Sequence, residues 1–175
     1  MFTFVGILLV FLMEPSFALN GADVAIYNDS IAPSDPTTGE KRSGAWQDGV
    51  TAIKNMLTWM GLTYEQITYN DLNYSTQDFS SLYKVMLFPG GVAYWYNYWI
   101  SLSGKTRIRN FVTNGGGYFG ICAGSFFASD VTVWEGIAYD DNSHYNAYGE
   151  LTGYDLDLFP GTGTGPISEI APWPT

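Results

Sequence analysis

The sequence predicts an α/β fold built on a mainly parallel sheet. Three observations lead there: short apolar runs joined by long connections, two stretches of helical periodicity between them, and an apolar run that ends in a small-residue turn at a cysteine. A chain of 175 residues, 46% hydrophobic and only 14% charged, carries enough apolar surface to offset chain entropy and has the size of one domain.

Residues 23–27 (DVAIY) stop at Asn28-Asp29, the pattern of a buried first strand meeting a polar loop. Residues 30–42, rich in Pro, Asp, Thr and Gly, form that loop. Over residues 43–60, Trp46, Val50, Ile53, Leu57 and Met60 recur at spacings of three and four, which predicts an amphipathic helix with these side chains inward. Gly61 is its stop signal. Residues 62–68 supply a second strand by alternation, and residues 83–88 (YKVMLF) a third, central one. Such strands linked by long crossovers pair in parallel. A second helix is expected over residues 103–114, with Ile108, Phe111 and Val112 inward and Lys105, Arg107 and Arg109 on a solvated face. After three glycines, residues 118–121 make a fourth strand that runs into Cys122-Ala123-Gly124-Ser125.

A net charge of −10 with seven Lys and Arg repels phosphate backbones and anionic headgroups, so no nucleic-acid partner is expected. The acidity serves solubility or a preference for cationic ligands. Residues 1–18 read as a secretory signal: an apolar run over 4–13, Pro15, then Ser16-Phe17-Ala18 as a small-x-small site with cleavage after Ala18. The lack of Lys or Arg before the run and the presence of Glu14 depart from that pattern, and a buried strand is the alternative. Ten apolar residues fall short of the roughly 20 that span a bilayer, so no stable membrane anchor is expected after cleavage. The expectation is a secreted or extracytoplasmic domain over residues 19–175.

A single cysteine cannot form an internal disulfide, which leaves Cys122 as an inert thiol, an intermolecular partner or a reactive group. A strand-turn-helix places it at the C-terminal edge of the sheet, where open α/β folds bind ligands. Ala123 and Gly124 leave room for the tight turn of a nucleophile elbow, and the following helix directs its dipole at the sulfur, favouring thiolate. The N–H of Ala123 and the Gly90-Gly91 turn at the neighbouring strand end are candidate oxyanion donors. A small buried hydrophobe is the alternative for the cysteine.

Two further candidates accompany it. Asp29, at the end of the first strand, is either a site carboxylate or a turn former. His144, the only histidine, lies 22 residues past Cys122 in the polar stretch 140–148, as a partner of the thiol or as a solvated loop residue. Tyr94, Trp95, Tyr96, Tyr98 and Trp99 wall a cleft or fill the core. No cofactor and no metal are expected.

The segments LFPGGVAYWY, GGGYFGICAGSFFAS and LFPGTGTGPI (residues 158–167) are similar, in order and approximate spacing, to those of the biotin-protein ligase N-terminal domain family of the class I glutamine amidotransferase-like superfamily. The likeness covers residues 23–167. It implies a flavodoxin-like three-layer α/β/α sandwich with Cys122 at the nucleophile position and Gly91 with Ala123 as oxyanion donors. It does not imply biotin ligation, because no Gly-Arg-rich biotinyl-adenylate loop occurs here. Glutaminases of the superfamily carry C-x-G-x-Q and a downstream His-x-Glu. Phe126 stands at the Gln position, and no His-x-Glu follows Cys122, which argues against glutamine hydrolysis. The ending Pro172-Trp173-Pro174 reads as a domain cut short. The resulting expectation is a cysteine-dependent hydrolase or amidase acting on a small-molecule or peptide amide. The alternatives are a non-catalytic ligand-binding or regulatory domain, or a thiol redox sensor.

Overall fold

The computed structural model describes residues 18–134, 137–139, 144–145, 151–152 and 156–165. Residues 1–17 of the expected signal segment 1–18 lie outside them, as does the ending over 166–175. Among the described residues no helix is long and apolar enough to cross a membrane.

Four strands form one parallel sheet: β1 (Val24–Tyr27), β2 (Tyr64–Ile67), β3 (Val85–Phe88) and β4 (Gly117–Gly120), in the order β2-β1-β3-β4. Their register runs Val24 beside Tyr64 and Val85, and Val85 beside Gly117. All of β1 and all but the first residue of β3 are buried, which explains their unbroken apolar runs: both faces of the inner strands are covered. The helices are α1 (Gln47–Trp59), α2 (Tyr69–Tyr74), α3 (Phe79–Leu82), α4 (Ala93–Trp99), α5 (Leu102–Thr113) and α6 (Ala123–Ala128). They flank the sheet in the flavodoxin-like three-layer arrangement that the sequence predicts. Past α6, β5 (Ser129–Trp134) pairs antiparallel with β6 (Ile137–Tyr139) and parallel with β9 (Phe159–Gly165). A separate small pair joins β7 (His144–Tyr145) and β8 (Leu151–Thr152).

In α1, Val50, Ile53 and Leu57 are buried at the expected spacing, and Gly61 closes the helix at φ 72°. Trp46 and Met60, expected inward, are exposed, because they cap the helix rather than sit in it. The helix starts four residues later than expected, since residues 43–45 are held extended by hydrogen bonds to the buried Asp29 carboxylate. Three helices escape the sequence periodicity. One of them, α2, begins at a capping box: Asp71 N–H donates to the Thr68 hydroxyl, and the Asp71 carboxylate accepts from Thr68 N–H.

The expected solvated face of α5 is corrected most sharply. Ile108 and Phe111 are inward as expected, but Lys105 is 1% exposed, and its ammonium donates to Asn97 Oδ1 of α4. Arg107 donates to Leu72 O at 2.9 Å, and Arg109 to Leu156 O at 2.7 Å. All three cations therefore tie α5 to neighbouring elements instead of facing water.

Candidate functional site

The sheet order reverses direction between β1 and β3, and open α/β sheets bind ligands at the C-terminal edge beside such a switch. Three of the chain's four exits from that edge carry the candidates of the sequence: Asn28-Asp29 after β1, Pro89-Gly90-Gly91 after β3, and Ile121-Cys122 after β4. All the sheet-edge candidates of the sequence are thus brought to one rim.

Small residues force the turn after β4. A Cβ on Gly120 would stand 2.5 Å from the carbonyl carbon and oxygen of Gly124, and one on Gly124 would stand 2.3 Å from Phe88 O. Only glycines at both positions let α6 double back against β4 and β3. The hydroxyl of the half-buried Tyr118 locks the return by donating to Gly124 O at 2.7 Å, and desolvation pushes its ionisation well above the usual phenol range. Ile121 N–H extends the ladder to Phe88 O, and Gly124 N–H donates back to Ile121 O.

Between these constraints Cys122 adopts φ 50° and ψ −109°, a sparsely populated region for a residue with a side chain. Its carbonyl accepts from Ser125 N–H, Phe126 N–H and the Ser125 hydroxyl. Its thiol is exposed. Ala123 is the first residue of α6, so its N–H has no intrahelical acceptor. Gly124, by contrast, serves through its missing side chain, and its N–H is already donated.

The glycine pair after β3 lies against the cysteine. A Cβ on Gly90 would be 3.4 Å from Cys122 Cβ and 4.0 Å from Sγ. Gly91 has φ 148°, and a Cβ there would fall 1.7 Å from Gly44 O. Trp46 N–H donates to Gly90 O at 3.0 Å and Val92 N–H to Gly44 O at 2.8 Å, bracketing the Ala45–Gly91 pair. In that arrangement the paired residues turn their own N–H groups away from each other, so Gly91 N–H points away from residue 45.

Asp29 explains why residues 43–45 reach this position. Fully buried, it accepts from Ser43 Oγ at 2.6 Å, Gly44 N–H at 2.6 Å and Ala45 N–H at 2.9 Å. Both carboxylate oxygens are therefore committed to the loop. Gly44 in turn admits Tyr96, whose ring carbon would lie 2.5 Å from any Cβ there. The Tyr96 hydroxyl donates to Pro89 O at 2.9 Å; burial and then the charge of Asp29 raise its ionisation, with a smaller contribution from Cys122. Ser43 and Gly44 were not among the expected site residues, and Tyr96 was expected only as one of the aromatics that wall a cleft or fill the core. No spacing rule couples Asp29 to residues 14 to 16 positions later.

The aromatic run after the glycines divides. Tyr96 belongs to the core, stacked edge-on against Tyr27 and Phe88. Trp95 lines an open cleft of about 560 Å³ together with Ser43, Trp46, Gln47 and Val92. Cys122 does not line this cleft; the glycine pair lies between them. Phe126, at the Gln position of the glutaminase pattern, is half-buried beside β9, where a Cβ on Gly163 would be 3.0 Å from its ring. His144 falls in β7 opposite Thr152, and its side chain lies outside the described residues. Among the described residues no group of three or more His, Cys, Asp or Glu is placed to hold a metal ion.

An uncharacterized protein of Chlamydia muridarum (strain MoPn / Nigg) is 33% identical over 88 residues, which is 50% of this chain and 31% of that protein. The match thus spans about a third of that relative's length. No solved structure matches the chain. The family described as biotin-protein ligase, N terminal, matches residues 43–169, which include the glycine pair, the cysteine turn and β9. Together with the parallel sheet, and consistently with a glutamine amidotransferase-like fold, this match places the chain in the biotin-protein ligase N-terminal family.

Proposed function

We propose that the chain is an exported, cysteine-dependent amide hydrolase in which Cys122 is the nucleophile. The observation that carries this reading is an exposed thiol on a residue held at φ 50° where a strand turns into a helix. A turn of that kind thrusts a side chain out over the sheet edge. The thiolate would add to an amide carbonyl, with Gly91 and Ala123 N–H groups facing the developing oxyanion. The C–N bond breaks, the leaving amine takes the thiol's proton, and water then cleaves the thioester to the acid and free thiol. Asp29 is engaged by the loop, so the proton carrier to test is His144. Export rests on the apolar run over residues 4–13 and the small-x-small site ending at Ala18.

A second reading is favoured by Phe126, which stands at the Gln position of the glutaminase pattern and packs beside β9, and by the commitment of Asp29. On that reading the domain binds a ligand without turnover, or the thiol senses oxidants. Iodoacetamide labelling of Cys122 across pH, against a Cys122→Ser control, separates them. A labelling midpoint at least one unit below the free-thiol value of about 8.5 is expected. A midpoint at or above it removes the activated nucleophile. An acidic thiol that cleaves no member of an amide and ester panel assigns the site to sensing.

A further inference from the structure

The cleft beside residues 90–91 has the scale of a small-ligand pocket and a chemistry of its own. Trp46, 49% exposed, and the half-buried Trp95 bring two indoles to it. Glu40 and Asp48 bring two exposed carboxylates against the single ammonium of Lys41. Among the described residues neither carboxylate is in an ion pair, whereas Asp35 of the same loop is paired with Arg42. That Arg42 guanidinium lies 5.9 Å from the Trp95 ring centroid, so an indole of this wall already holds a cation against its face. The chain's net charge of −10 adds a long-range field of the same preference.

The cleft also adjoins the glycine strip that packs against Cys122. Trp46 and Val92, two of its lining residues, are bonded to Gly90 O and Gly44 O, and position 90 is in contact with Cys122. Residues 90 and 91, as glycines, add no side chain of their own to that strip. An amide whose carbonyl rests at Cys122 can lay its side chain across this strip.

We infer that this cleft is a specificity pocket for the cationic side chain of an amide substrate, a guanidinium or ammonium on an aliphatic stem. The stem packs on the indoles, and the cation meets Glu40 and Asp48. The inference rests on the proposed thiol chemistry for the cleavage of the bound amide, but the binding itself can be measured without it.

Calorimetric titration of Cys122→Ser protein with Nα-benzoyl-arginine amide and with its neutral isostere, Nα-benzoyl-citrulline amide, tests the pocket. The arginine amide is expected to bind at least tenfold more tightly, with the margin shrinking as salt is raised. Adding Glu40→Gln and Asp48→Asn, both at exposed positions, should abolish the preference, and Trp46→Ala should weaken both ligands. Equal binding of the two amides, binding of neither, or a preference untouched by the double substitution overturns the inference. An unactivated Cys122 with the preference intact would fell the hydrolase reading alone. An acidic Cys122 with no preference would fell the pocket alone.

Discussion

Replacing Asp29 by Asn separates a carboxylate that positions the site from one that performs proton transfer. Asp29 Oδ1 accepts from Ser43 Oγ and Ala45 N–H, and Oδ2 accepts from Gly44 N–H at 2.6 Å. An Asn that keeps its oxygen at Oδ1 must turn its amide NH2 toward the Gly44 N–H, donor against donor. The flipped rotamer sets the NH2 against the Ala45 N–H instead, while the Ser43 hydroxyl can turn to accept from it and donate to Ala45 O. One hydrogen bond to a charged group contributes about 1.5–3 kcal/mol, and a buried donor left unmatched adds to that loss, so Asp29→Asn should cost about 2–4 kcal/mol. With a urea m-value of about 2 kcal/mol/M, the midpoint moves down by about 1–2 M at unchanged m. Urea unfolding followed by tryptophan fluorescence reads that shift. Because residues 43–45 hold Gly91 in place, maximal Cys122 alkylation should fall as well while its pH midpoint stays fixed. A loss under about 0.5 kcal/mol together with a vanished limb of the pH profile would refute the positioning role and make Asp29 the base.

Gly91→Ala should destabilise by about 3 kcal/mol or more in the same urea assay, because its Cβ would overlap Gly44 O at a φ that L-residues avoid. Asn97→Ala strips an acceptor from the buried Lys105 ammonium and should cost about 2–3 kcal/mol, with Asn97→Asp restoring most of it. Arg42, then the Thr38 and Thr37 N–H groups, hold the Asp35 carboxyl at about 2 instead of 3.8. A lowered folded value contributes stability that is complete above the unfolded value and lost as pH falls through the folded one. Amide-exchange protection at Thr37 and Thr38 should therefore persist near pH 4 and disappear by about pH 2. Cys122→Gly should stabilise the fold by about 0.5–1 kcal/mol, the relieved strain at φ 50° exceeding the added chain entropy. Net destabilisation would mean that the side chain packs rather than projects.

What was legible in the sequence depended on whether a residue's environment is set by its neighbours in the chain. The apolar runs of β1 and β3 and the 50/53/57 spacing of α1 reveal themselves because burial follows their own periodicity. Residues 43–45 read as helix and are extended, since a buried carboxylate of β1's terminus holds them. Lys105 reads as a solvated cation and is buried, since its partner Asn97 lies on another helix. Residues 93–99 hold too many aromatics for one helical face to stand out, so neither the helix nor the division of Tyr96 to the core and Trp95 to the cleft could be read from spacing.

The glycines around Cys122 divide in a way that bears on what the motif means. Gly120 and Gly124 are required by contacts of α6 with β3 and β4, and Gly91 by its φ and by Gly44 O. Those three would be needed to build this sheet edge whether or not any chemistry occurs there, so their presence argues for the fold. Position 122 differs. At φ 50° the fold would be served best by glycine, and a β-carbon there raises the energy by about 1–2 kcal/mol. The thiol is exposed, so core burial does not offset that cost. Gly90 makes a complementary point: at 3.4 Å from Cys122 Cβ its absent side chain relieves no clash, but it leaves the thiol uncovered. Strain at one residue and bareness at its neighbour leave the sulfur open at the sheet edge, and that is the support they lend to the proposed role of Cys122 as a nucleophile.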